Sequence, residues 1–132
     1  MKHLLLYFLN FTVGLLTLIG QESQISKVNF GEAINFGDVT ILFEKVISDS
    51  RCPKNVTCVW AGEAKVFVAI SKEGELIEKK ELTFHPSSEI DAQINIVYKS
   101  GDIQISGIGL YPYPESPHKI KNEDYCLELK FN

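Results

Sequence analysis

Glu63-Ala64-Lys65-Val66-Phe67-Val68-Ala69-Ile70, then Lys72-Glu73-Gly74-Glu75, then Leu76 through Phe84, form the stretch on which the fold turns. Ala64, Val66, Val68 and Ile70 fall on one side of a period-2 pattern, against Glu63, Lys65, Phe67 and Ala69 on the other. That alternation predicts a half-buried strand. Gly74 supplies the positive φ that a tight hairpin turn needs, so the chain reverses there. Glu78, Lys79, Lys80 and Glu81 are read as the outer side of the returning strand.

The same period spreads outward from this hairpin. Val39, Ile41 and Phe43 alternate within Val39–Ile47 before it. After it come Ile94, Ile96 and Tyr98, a Ser100-Gly101-Asp102 turn, and Ile103 with Ile105. Tyr125, Leu127, Leu129 and Phe131 close the chain, alternating with Cys126, Glu128 and Lys130. A weaker strand is predicted over Ile25–Phe36, broken at Gly31. No segment sustains a 3.6 period, and Ser87–Ala92 has room for one helical turn at most. Six to seven short strands joined by turns predict an all-β fold, an antiparallel β-sandwich or a partly closed barrel.

Length and charge bound the rest. Met1–Gly20 carries Lys2 and His3, then an apolar run, then a small residue, which is the layout of a cleavable secretory signal. Cleavage is expected between Gly20 and Gln21, an uncleaved anchor being the alternative, leaving 112 of the 132 residues as one domain, 21–132. The whole chain has net charge −4, and the leader holds one Lys and no acid, so the body stands at −5. A mildly acidic body without a basic run argues against a nucleic-acid partner. No second apolar run follows the leader, so no membrane span is expected after its removal. The expected location is secreted, periplasmic or cell-envelope.

Export places Cys52, Cys58 and Cys126 where disulfides persist. Three cysteines allow three single bridges. The close pair, Cys52 and Cys58, is preferred because it flanks a Pro-Lys-Asn turn and tethers a small loop. Cys126 is then free. Strand parity turns it away from the core with Glu128 and Lys130.

Asp49-Ser50-Arg51-Cys52-Pro53, followed by Cys58-Val59-Trp60-Ala61-Gly62, is the most distinctive part of the chain. It resembles a group of small exported, functionally uncharacterised bacterial proteins that carry an Asp-Ser-Arg-Cys-Pro and Cys-x-Trp-Ala-Gly signature. The match is close over about sixteen residues. Leu110-Tyr111-Pro112-Tyr113-Pro114 and Asp124-Tyr125 are similar more loosely. The resemblance implies an exported protein and no particular activity.

Read physically, Trp60 beside a disulfide is expected to be a core plug packed on the bridge, an exposed binding anchor being the alternative. Arg51 and Asp49 are expected to pair with each other or to cap turn amides, with Arg51 offered to an acidic ligand as the alternative. Asn55-Val56-Thr57 fits a glycosylation sequon and is read as turn chemistry. Tyr111 and Tyr113 stand on a proline-stiffened segment that either covers the open end of the sandwich or binds a peptide or glycan.

Catalytic signatures are weak. His85 and His118 are isolated, and no His or Cys spacing suits zinc or blue copper, so no metal or other cofactor is expected. A Cys126–His118 nucleophile pair is conceivable but depends on a loop bringing them together. The expected function is a non-catalytic binding or envelope-associated module for a protein, peptide or glycan. Its candidate binding residues are Arg51, Lys54, Trp60, Tyr111 and Tyr113. One alternative is a protease inhibitor presenting Arg51 or Lys54 on the Cys52–Cys58 loop. Another is a thiol- or His-dependent enzyme.

Overall fold

The computed structural model describes residues 20, 22–87 and 90–132. The leader expected over Met1–Gly20 therefore lies, apart from Gly20, outside the described residues. Eight strands are present among the described residues. They are β1 (Gln24–Asn29), β2 (Ala33–Phe36), β3 (Val39–Asp49), β4 (Ala64–Lys72), β5 (Glu75–Phe84), β6 (Ile96–Ser100), β7 (Ile103–Tyr111) and β8 (Cys126–Phe131). A single turn, α1 (Asp91–Ile94), and a 3₁₀ turn at Asn122–Asp124 are the helical elements among the described residues.

The strands form two antiparallel sheets of four, in the orders β1-β8-β7-β6 and β2-β3-β4-β5. The architecture is the expected all-β sandwich, and the sheets do not close into a barrel. Ala64, Val66, Val68 and Ile70 all face the core, as their alternation requires. They meet Val39, Ile41 and Phe43 of β3 and Leu82 and Phe84 of β5. Leu127, Leu129, Ile105 and Val97 supply the opposing layer.

Three expectations are corrected. The weak strand over Ile25–Phe36 is two strands, and they belong to different sheets. Gly31, at φ +78°, forms the corner between them. That corner is pinned on both sides: Phe30 N–H donates to Tyr125 O at 3.0 Å, and Gly31 N–H donates to Phe43 O at 2.9 Å. The second correction concerns Ile94. It ends α1 and is exposed, while Val97, between Ile96 and Tyr98, is the core residue of β6. An irregularity in the β6–β7 pairing between Ile96 and Tyr98 upsets the simple alternation.

The third concerns Lys80. Val68 opposes Lys80, Val66 opposes Leu82 and Ala64 opposes Phe84, so Lys80 shares the inward parity of Leu82 and Phe84. Near the sheet edge it runs out toward the other sheet and donates to Ile96 O at 3.1 Å.

Candidate functional site

Asp49 ends β3 and is paired with Ala64, the first residue of β4, so residues 50–63 are an excursion from one hairpin. Its base is closed by several short bonds. Ser50 N–H donates to Glu63 O at 2.9 Å and Cys52 N–H donates to Ala61 O at 2.9 Å. Glu63 N–H donates to the Ser50 hydroxyl oxygen at 3.1 Å. Gly62 sits at φ +72°, and a Cβ there would lie 1.8 Å from Ser50 O. The two arms cross so closely that only glycine fits. Cys52 and Cys58 are bridged and Cys126 is free, as the loop spacing suggested.

Arg51 points inward. It donates through Nε to Asp49 Oδ1 and through Nη2 to Asp49 Oδ2, each at 2.8 Å. Nη1 donates to Leu110 O at 2.8 Å, and Nη2 also donates to Pro112 O at 3.1 Å. The Tyr125 hydroxyl donates to Asp49 Oδ2 at 2.8 Å. Arg51 and Asp49 side chains are 3% and 9% exposed. The expected Asp49–Arg51 pair is present, but it is a buried fork. Arg51 is therefore corrected as a residue presented at the loop apex to a protease or surface partner, four of its five N–H donors being used within the fold.

The cluster sets its own titration. Burial pushes the Asp49 carboxyl up, but hydrogen bonds from Arg51 and Tyr125 and the Arg51 charge outweigh it, and its pKa lies below the ordinary value. Burial raises the Tyr125 phenol well above its ordinary range, and the neighbouring Asp49 carboxylate adds to that.

The two segments read separately in the sequence are one body. The Tyr113 hydroxyl donates to Cys52 O at 2.7 Å, and its ring centre is 5.1 Å from the Arg51 guanidinium carbon. Lys54 N–H donates to Pro114 O at 3.0 Å. Asn55 Nδ2 donates to Glu115 O at 3.1 Å. Tyr113 is thus half-buried and structural, whereas Tyr111 is exposed beside Lys27.

Trp60 overturns the core-plug expectation. It is 82% exposed, and Val59 beside it is 94% exposed. The reason is positional. The bridge lies beyond the end of the sheets, with Cys58 itself exposed, so an indole next to it has no core to enter. The space under the loop is filled by Arg51 and Tyr113, and the sandwich interior by Phe43 and Phe84.

Cys126 is half-buried on β8. Burial raises its pKa, Lys27 opposes this, and Glu128 and Glu32 add to it, so the thiol is a poor thiolate source at neutral pH. No hydrogen bond joins it to His118 among the described residues; His118 N–H donates to the Ser116 hydroxyl oxygen at 3.4 Å. The sequence reading missed another pairing. His85 Nδ1 lies 3.0 Å from Oδ1 of Asp91, which is 1% exposed, and the His85 N–H also donates to that carboxylate at 3.2 Å. His85 Nε2 is 3.6 Å from Glu63 Oε2. Asp91 follows β5 by several residues, and only α1 turning back brings the two together. Among the described residues no group of three His, Cys, Asp or Glu could hold a metal ion, and no helix is long and apolar enough to cross a membrane.

A cleft of ≈ 400 Å³ opens between the end of β3 and the segment from Pro114 to Asn122, with Asp49, Arg51 and Tyr125 among its lining residues. Comparison with protein-family models, curated proteins and solved structures finds no match to this chain.

Proposed function

We propose that this protein is an exported, non-catalytic binding module that engages a protein, peptide or glycan through the Val59–Trp60 tip of its disulfide loop. The observation that carries the reading is a large exposed indole on a rigid mount. Trp60 is 82% exposed, while the arms of its loop are fixed by the Cys52–Cys58 bridge, the Ser50–Glu63 closure and the bonds to Cys52 O, Pro114 O and Glu115 O. A loop ordered before contact loses little conformational entropy on binding, and tryptophan is the side chain most enriched at binding hot spots.

The inhibitor alternative is weakened by the burial of Arg51 and rests on Lys54, whose ammonium stands 4.0 Å from Glu115 Oε1. The enzyme alternative has less support: burial raises the Cys126 pKa, and among the described residues no hydrogen bond joins Cys126 to His118.

The test is affinity capture from native envelope extract with the wild-type protein and with Trp60→Ala, each checked for unchanged melting temperature. A partner recovered by the wild type and lost with Trp60→Ala is the expected result. Equal recovery by both would remove Trp60 from the interface. Trypsin inhibition that disappears in Lys54→Ala would instead establish the inhibitor reading.

A further inference from the structure

The cleft between the end of β3 and the Pro114–Asn122 segment is a second feature, and Trp60 is not among the residues that line it. Its volume of ≈ 400 Å³ falls in the range of small-molecule sites. Ile47, Pro114, Pro117 and Ile120 give it apolar walls. The prolines have no backbone N–H and so add no main-chain donor there.

Those side chains are biased toward one sign. Asp49 is the only acid among the lining residues, and it is already engaged by the Arg51 fork and the Tyr125 hydroxyl. Arg51 has five N–H donors, of which four have partners: two oxygens of Asp49, Leu110 O and Pro112 O. The fifth, on Nη1, has no acceptor among the described residues. Lys119 lines the cleft with no carboxylate within ion-pair distance among them. The Ser116 oxygen accepts from His118 N–H and keeps its own hydrogen to donate. Glu123 lies on a neighbouring depression that Lys119 and Lys121 also line.

We propose that this cleft binds a small organic carboxylate: an apolar body seated against the proline walls, and a single negative charge met by Lys119, the Ser116 hydroxyl and the spare N–H of Arg51. A carboxylate carries one negative charge, matching the single free ammonium of Lys119, whereas a phosphate group near neutral pH carries close to two.

The experiment is an amide-resolved NMR titration with three probes of one shape: benzoate, benzamide and benzylammonium. Benzoate is expected to shift the amides of residues 46–51 and 116–122 saturably and to bind more tightly than the other two. Lys119→Ala is expected to weaken benzoate roughly two- to fivefold, the scale of one exposed charge contact, and Lys119→Glu to weaken it further. Lys99→Ala, on β6, serves as the surface control and is expected to titrate as the wild type. Benzylammonium or benzamide binding as tightly as benzoate, shifts confined to other surfaces, or an unchanged Lys119→Ala overturns the proposal. Trp60→Ala leaves this titration unchanged, so its outcome is separate from that of the loop reading.

Discussion

Arg51 and Trp60 share one loop and occupy environments opposite to those their chemistry suggests. The guanidinium is buried because every oxygen it meets lies inside: the Asp49 carboxylate and the carbonyls of Leu110 and Pro112. Removing one partner from such a fork leaves a buried charge unpaired. Arg51→Ala is therefore expected to lower stability by about 3–5 kcal/mol, with Arg51→Lys failing to rescue it because an ammonium cannot form the planar fork. Urea denaturation measures both. Trp60→Ala is expected to stay within about 0.5 kcal/mol of wild type, as surface substitutions do. A large fall in its melting temperature would contradict an exposed indole. Asp49 adds a pH dependence. Its folded pKa is below its ordinary value of 3.8, so its contribution is present above that value and is lost as pH falls through the lowered folded one. Stability curves between neutral pH and pH about 2 should show this acid loss in wild type and less of it in Asp49→Asn, which begins less stable.

The loop between β3 and β4 is held at three levels: a crossing of backbones at Gly62, a covalent ring and docking onto the Tyr113–Glu115 segment. Gly62→Ala would drive a methyl into Ser50 O, and the base of the loop must open to relieve it. The ring Cys52–Cys58 spans a sequence separation of 6, and by the chain-entropy model opening a ring that small costs about 2–3 kcal/mol. Cys52→Ala/Cys58→Ala is expected to show that loss in denaturant melts. Non-reducing peptide mapping should find the Cys52–Cys58 link and an alkylatable Cys126. The β1–β2 corner shows the same economy, since Gly31 lets one weak segment serve both sheets while Tyr125 O and Phe43 O fix its course.

At the scale of the molecule, two sheets of four meet over one core, and their polar clasps lie away from its centre. The Asp49–Arg51–Tyr125 cluster joins the end of β3 to β7 and β8. Asn95, buried after α1, donates to Thr83 O and accepts from Thr83 N–H, tying α1 to β5 of the other sheet. Tyr125→Phe would leave Asp49 short of one donor, at a cost of about 1–3 kcal/mol. This loss is expected to be smaller than additive with Arg51→Ala, because the two side chains serve the same carboxylate. Export is tested on the whole chain as well. Intact mass of protein recovered from its native host is expected to lack Met1–Gly20, and a retained leader would indicate an anchor.

The strand pattern of the β3, β4 and β8 cores was legible in the chain because side-chain parity is a local property: every second residue faces the same way whatever lies beyond. The hairpin at Gly74 and the closeness of Cys52 to Cys58 are local in the same sense. Lys80 shows the limit, since its parity is that of the core but only the sheet edge lets its ammonium reach Ile96 O. The fate of loop residues was decided by tertiary structure. Trp60 is outside and Arg51 inside because a segment about sixty residues further on brings Leu110 O, Pro112 O and the Tyr113 ring to that side of the loop. The split at Gly31, the pairing of His85 with Asp91 and the fusion of two separate segments into one site have the same origin. Periodicity records which way a side chain points relative to its neighbours, whereas burial of a polar group depends on partners that only the completed fold brings within hydrogen-bond distance.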